Sequence, residues 1–174
     1  MTPSSGISKA AKTDDVTIAV DAFRRILRQL RRVARRTELA TGLSAAQAFV
    51  LNAVNGAPGC SLNDVAALTM TDRSSVAAIV DRLVDERYLM RTQAAEDRRR
   101  ASLSVTARGR RAIRDAASPP TMLLVDAIRA LPAADRTTLA RMLSKLTREM
   151  GVAEEPATML FEDEAPRGAS KKRR

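Results

Sequence analysis

The prolines set the first constraint on this chain. All seven (Pro3, Pro58, Pro119, Pro120, Pro132, Pro156 and Pro166) lie outside residues 60–118. Proline removes a backbone donor and clashes with the preceding helical turn, so it ends regular elements rather than sitting inside them. The middle of the chain can therefore hold continuous elements, and the prolines mark where those stop. At the N-terminus the first dozen residues are rich in Ser, Thr, Gly and Lys. From Ala153 onward comes an acidic cluster, Glu162-Asp163-Glu164, and then Lys171-Lys172-Arg173-Arg174. Such segments carry too little apolar surface to fold alone. The reading is a flexible segment 1–14, a folded unit 15–152 and a disordered charged tail 153–174.

Within the folded unit, helical periodicity dominates. Phe23, Ile26, Leu27, Leu30, Val33 and Ala34 recur at helical spacing, which predicts one long helix over 15–41 with Gly42 at its C-cap. Its opposite face carries Arg24, Arg25, Arg28, Arg31, Arg32, Arg35 and Arg36. That face is a solvated surface, a helix near nucleic-acid phosphates, or the lining of a pocket for an acidic effector. Ser44 and Gln47 have capping-box spacing and open a second helix through Ala53 or Val54, with Phe49, Val50 and Ala53 facing the core. After a turn at Gly56-Ala57-Pro58-Gly59, Ser61 caps a short third helix, 62–68, with Asp64 at its positive end.

The segment Thr69-Met70-Thr71-Asp72 offers two further N-cap candidates. A fourth helix runs from about Arg73 to Glu86, with Val76, Ile79, Val80, Leu83 and Val84 at the 3.6 period. Two helices joined by so tight a turn form a helix-turn-helix candidate. The second helix opens on Arg73, Ser74 and Ser75, residue types that meet base edges and phosphates. Tyr88–Thr92 and Leu103–Val105 then read as two short strands. Between them Gln93-Ala94-Ala95-Glu96-Asp97-Arg98-Arg99-Arg100-Ala101 forms a polar tip, a wing suited to the negative potential of a narrow minor groove. Asp97 fits as a clamp that fixes an arginine rotamer.

Composition excludes most alternatives. The chain has no His and one Cys, Cys60, so it can build no Ser-His-Asp or Cys-His relay, no intramolecular disulfide and no multi-thiolate zinc site. With no Gly-rich phosphate loop either, the chain is not expected to be an enzyme, and no cofactor or metal is expected. Its 30 Lys+Arg against 20 Asp+Glu leave a net charge of +10, which points to an anionic partner. The longest charge-free stretch, Leu39–Asn63, contains three glycines and a proline and is no spanning helix; residues 1–15 hold no signal-peptide core. Cytoplasmic residence is the expectation.

This order of elements resembles the MarR family of bacterial transcription regulators over roughly Asp15 to Met150. The likeness is carried by Asp97-Arg98-Arg99 followed by Leu103-Ser104-Val105-Thr106-Ala107-Arg108-Gly109, and by Val80-Asp81-Arg82-Leu83 through Tyr88-Leu89-Met90-Arg91. The resemblance implies a mainly α fold, a winged helix-turn-helix with a two-stranded β wing (DNA-binding lobe about 44–105) and dimerisation helices about 15–41 and 106–150. It implies a homodimer on double-stranded DNA, with Thr71, Arg73, Ser74 and Ser75 toward the major groove and its phosphates. Arg99 is implied in the minor groove, positioned by Asp97, with Arg98 and Arg100 on the backbone and Ser61 as a phosphate ligand. It also implies a pocket between the dimer helices and the DNA-binding lobe, for a phenolic or other small anionic effector. The chain departs from the family at Arg87, where Gly is frequent, and in carrying no Cys in its first helix, so Cys60 reads as a packed residue rather than a sensor. Pro119-Pro120 should break the helix that starts at Thr106.

Past that break, Met122, Leu123, Leu124, Val125, Ile128 and Leu131 precede Pro132, and Leu139, Met142, Leu143, Leu146 and Met150 form a stripe. With three Phe in the whole chain, packing against a second copy is the simplest way to cover it. The expected function is a sequence-specific, ligand-responsive repressor acting as a homodimer on a palindromic operator. The alternative is a basic architectural protein that binds nucleic acid without sequence choice.

Overall fold

The computed structural model describes residues 14–93, 101–116, 118–155 and 158–161. Its element order is α1 (Asp15–Thr41), α2 (Ala45–Gly56), α3 (Leu62–Thr69), α4 (Arg73–Asp85), β1 (Leu89–Gln93), β2 (Ala101–Val105), α5 (Ala107–Asp115), α6 (Pro120–Arg129) and α7 (Ala133–Glu149). The mainly helical fold with one antiparallel two-stranded sheet is the one expected. Its register sets Leu89 opposite Val105 and Arg91 opposite Leu103. Among the described residues no helix is long and apolar enough to cross a membrane.

Local chemistry explains the boundaries. Gly42 closes α1 in the left-handed conformation at φ 72°, its N–H donating to the Glu38 carbonyl at 2.8 Å. Ser44 and Gln47 form the full capping box that starts α2, which runs two residues past the expected end. Helix α5 stops at Asp115, and α6 restarts at the Pro119-Pro120 step, as the prolines require.

The core lies in the lobe built by α2, α3, α4 and the sheet. Leu51, Val54, Val65, Val76, Val80 and Leu83 are fully buried there, and Phe49 and Val50 join them, whereas Ala53 is only half-buried. Two backbone bonds stitch the α2–α3 turn to the sheet: Gly59 N–H donates to the Leu103 carbonyl and Leu103 N–H to the Cys60 carbonyl, both at 2.9 Å. Cys60 is thereby buried, and burial, with the Asp64 charge second, pushes its thiol up and away from the reactive thiolate.

Helix α5 reaches the lobe at a point where only glycine fits. A Cβ on Gly109 would lie 2.3 Å from the Tyr88 carbonyl oxygen and 2.7 Å from Val105 Cγ1. The Thr106 hydroxyl caps α5 by accepting from Gly109 N–H at 3.1 Å, and it donates to the Arg87 carbonyl at 2.7 Å. Thus the Val-Thr-x-x-Gly run docks a helix start onto the end of β2. One boundary drawn from composition moves. Met159, assigned to the disordered tail, is buried and belongs to the core cluster. Met159 opens a three-residue apolar run, Met159-Leu160-Phe161, too short to carry a periodic signal, although its thioether can fill an irregular gap.

Candidate nucleic-acid interface

Helices α3 and α4 form the helix-turn-helix. The turn between them depends on Met70, which takes the left-handed conformation at φ 53°. Thr71 N–H donates to the Ala66 carbonyl at 3.1 Å and Met70 N–H to Ala67 at 3.2 Å, the Schellman closure that glycine usually makes. Helix α4 ends the same way. Arg87, at φ 62°, sends its N–H to Val84 at 2.9 Å, and Tyr88 N–H reaches Leu83 at 2.8 Å. The departure from glycine noted at Arg87 is therefore a real left-handed cap on a side-chain-bearing residue.

The expected contact residues cluster at the start of α4. Of the N-cap candidates in Thr69–Asp72, Asp72 takes the role: its carboxylate accepts from Ser75 N–H at 2.9 Å and from the Ser75 hydroxyl at 2.7 Å. The Ser74 hydroxyl also donates to Asp72. These bonds, Ser74's first and Ser75's next, hold the Asp72 carboxyl well below the usual carboxylate range. Both serine hydroxyls therefore serve the cap in this state. Arg73 is exposed and points its charge outward from the first turn. Thr71 is half-buried, its hydroxyl donating to the Thr69 carbonyl at 3.1 Å. Ser61, at the start of α3, likewise donates its hydroxyl to Asp64, at 2.7 Å, and the two complete a capping box. A Ser61 hydroxyl on a phosphate would have to leave that carboxylate. Asp97, Arg98, Arg99 and Arg100 lie outside the described residues.

Sequence reasoning missed one link. Arg91 on β1 meets Asp81 on α4 at 2.5 Å, both side chains substantially exposed. Such a pair contributes about 0–1 kcal/mol, so its consequence is orientation: it ties the wing strand to the outer face of α4. The signal was present as opposite charges ten residues apart on consecutive elements. Nearby, Arg108 stacks on the Tyr88 ring at 4.5 Å and donates to its hydroxyl at 3.1 Å, fixing α5 to the strand start.

A second feature lies across the lobe. A cavity of about 390 Å³ opens between α2, the end of α3 and α6, lined by Phe49, Asn52, Leu68, Met70, Met122 and Val125 with Asp126 and Arg129 at its polar side. Asn52 donates to the Ala48 carbonyl at 2.8 Å, which directs its amide donor to the helix. The size suits a small molecule. Helices α1 and α7 add exposed apolar surface: Val16, Val20, Phe23 and Leu27 on α1, and Met142, Leu143 and Leu146 on α7 with Met150 at its C-cap. The α1 residues continue the line of Leu30, Ala34 and Thr37, which are buried.

Residues 41–100 match the sequence profile of the MarR family. No curated protein matches the chain. Among solved structures, a MarR family transcription regulator shares 23% identity at a TM-score of 0.54, covering 82% of this chain and 95% of that one. The RV1404 protein from Mycobacterium tuberculosis shares 23% identity at 0.51, covering 79% and 95%. A MepR-like protein solved with pseudoligands shares 22% at 0.52, covering 79% and 96%. At these identities the likeness is one of fold.

Proposed function

We propose that this chain, a member of the MarR family by its winged-helix segment, is a sequence-specific double-stranded DNA-binding regulator acting as a homodimeric repressor in the cytoplasm. The reading is carried by the first turn of α4. Arg73 stands exposed beside an Asp72-capped turn, on a helix whose opposite face is the lobe's core. A helix seated so firmly presents its outer face at a fixed angle, which is what reading base edges needs. Ser74, Ser75, Thr71 and Ser61 would add phosphate contacts by exchanging their local bonds. Asp97 to Arg100 would supply the wing's minor-groove contact. The unpartnered faces of α1 and α7 support the dimer, and two-fold symmetry suits a palindrome. The cavity beside α6 supports a small effector, with Arg129 suiting an anionic one.

The test begins with genomic mapping of binding sites and continues with titrations on the recovered operator. Arg73→Ala and Arg99→Ala should each weaken operator binding by about 1–3 kcal/mol, the first changing preference inside the half-site and the second at A·T-rich flanks. Asp97→Ala should weaken binding although it removes a negative charge near DNA, because the freed arginine loses its aim. If all three variants shift operator and random duplex equally, the protein binds as an architectural polycation and the regulator reading fails.

A further inference from the structure

Helix α1 carries seven arginines between Arg24 and Arg36, and all are exposed. At 100° per residue they fill an arc of about 140°, facing away from the line of Val16, Val20, Phe23, Leu27, Leu30 and Ala34. Arg24 pairs with Asp21 at 3.0 Å and Arg32 donates to Gln29 at 2.5 Å. Among the described residues, Arg25, Arg28, Arg31, Arg35 and Arg36 have no hydrogen-bond or ion-pair partner. Every one of the seven has another arginine three or four positions away, a spacing at which like charges repel and destabilise the helix. A face built only for solubility mixes signs, as α7 does with Asp135, Arg136, Lys145 and Glu149. Among the described residues, Arg24 alone of the seven pairs with a carboxylate.

We propose that this arc is a second binding surface for the backbone of double-stranded DNA, separate from the winged helix. The proposal rests on the reading of the chain as a DNA-binding protein. Helix α1 packs chiefly on α2, α5 and α6, with no comparable packing on the helix-turn-helix pair. The arginines extend over about 18 Å of helix, a length along which one DNA strand presents about five phosphates. Guanidinium forks suit phosphate oxygens, and no base edge need be read. A lipid surface fits less well. An interfacial helix buries its apolar side between flanking cations. Here Leu30, Ala34 and Thr37 on that side are already inside the protein. A partner copy covering the exposed apolar line would leave the arc open. The consequence is that one assembly can hold two DNA segments.

The experiment uses the full chain and two random-sequence duplexes of about 40 base pairs, one bound to beads and one free and labelled. The intact protein should retain the free duplex on the beads. The variant carrying Arg25→Gln, Arg28→Gln, Arg31→Gln and Arg35→Gln should lose at least about tenfold of that capture, while its affinity for a single duplex changes less than about threefold. Glutamine keeps helix propensity and removes repulsion, so thermal melting should not fall. The salt slope of capture should become shallower by about 3–4 for each arc engaged. Undiminished capture by the variant would overturn the proposal, since two winged helices of a dimer would then suffice. Equal loss of single-duplex binding and capture would overturn it as well, by making the arc part of one continuous site. So would a preference of the arc for poly-glutamate or for phosphatidylglycerol vesicles over duplex. If the intact chain bound no duplex at all, the regulator reading would fall too; loss of capture alone leaves that reading in place.

Discussion

Helices α4 and α7 are comparably amphipathic, yet they meet opposite fates. Helix α4 buries Val76, Ile79, Val80 and Leu83, whereas no residue of α7 is buried. The difference lies in what each stripe finds. Around α4 stand α2, α3 and β1, which supply a complementary apolar surface from neighbouring sequence. Helix α7 follows Pro132 and meets nothing comparable among the described residues. An apolar stripe is thus only an offer of burial, and the lobe accepts it within one chain where the outer helices do not. The same contrast runs inside α1, whose single apolar line is buried at Leu30 and Ala34 and exposed at Phe23 and Leu27. The winged-helix lobe buries its own stripes, whereas the outer helices leave much of theirs exposed.

The largest expected effect breaks this comparison most directly. Leu83→Ala removes a fully buried side chain and should cost about 3 kcal/mol in urea unfolding. Leu143→Ala is the same chemical change on a surface leucine and should cost the isolated chain under about 0.5 kcal/mol. If α7 seats against a partner, it should instead weaken self-association by about 10- to 100-fold, read by sedimentation over falling concentration. Equal unfolding losses with no change in mass would erase the distinction between the two regions.

Next in size is the joint between them. Gly109→Ala sets a methyl 2.3 Å from a backbone oxygen that cannot swing aside. It should cost about 2 kcal/mol, within the range for overpacking. Because α5 leads toward α6 and α7, the loss should also weaken self-association if α7 seats against a partner, whereas Leu83→Ala should act on the lobe alone. Thermal melting and sedimentation on both variants would test that asymmetry.

The sequence made some of this legible and hid the rest for physical reasons. Caps are local, so the Ser44–Gln47 box and the Ser61 cap could be placed by spacing alone, although Asp64 was read as a charge at the helix start rather than as the other half of a box. The helical stripes and the proline break were equally plain, because each is a property of ten or twenty consecutive residues. The left-handed cap at Met70 was not, since that residue carries no sign of the conformation that its neighbours impose. Nor was the occupation of the Ser74 and Ser75 hydroxyls by Asp72, because all three are polar residues whose choice between cap and ligand is made by geometry. The Asp81–Arg91 tie and the seat of Met159 are tertiary, and a one-dimensional pattern does not contain them.

A smaller effect concerns how the lobe presents its leading helix. The Asp72 carboxyl is held below its ordinary range by three hydrogen bonds, so its ionised form favours the folded state. That contribution is fully present above the ordinary carboxylate range and is lost as pH falls through the depressed folded value. Asp72→Asn keeps a capping oxygen without the charge. It should melt lower than the native chain near pH 7, and the gap should close toward about pH 2. A gap constant across that range would mean that the charge of Asp72 does not stabilise α4.

The smallest effect is expected at the helix ends, where the two regions differ once more. The outer helices close on glycine, Gly42 after α1 and Gly151 after α7, at φ 72° and 74°. The helix-turn-helix pair closes on Met70 and Arg87 in the same conformation, which costs a side-chain-bearing residue about 1 kcal/mol. Arg87→Gly relieves that strain but adds chain entropy to the unfolded state, so the net gain should be no more than about 0.5 kcal/mol. Gly151→Ala should show the converse, a loss of up to about 0.5 kcal/mol at an end where no neighbour crowds the new methyl. If Arg87 is retained for its charge rather than tolerated, the stabilised variant should bind duplex DNA more weakly, with a salt slope shallower by about 1 per lost phosphate contact. Higher melting with weaker binding would make Arg87 a strained contact residue kept at the lobe's expense. Higher melting with unchanged binding and slope would reduce it to a helix end that the surplus stability of the core can carry.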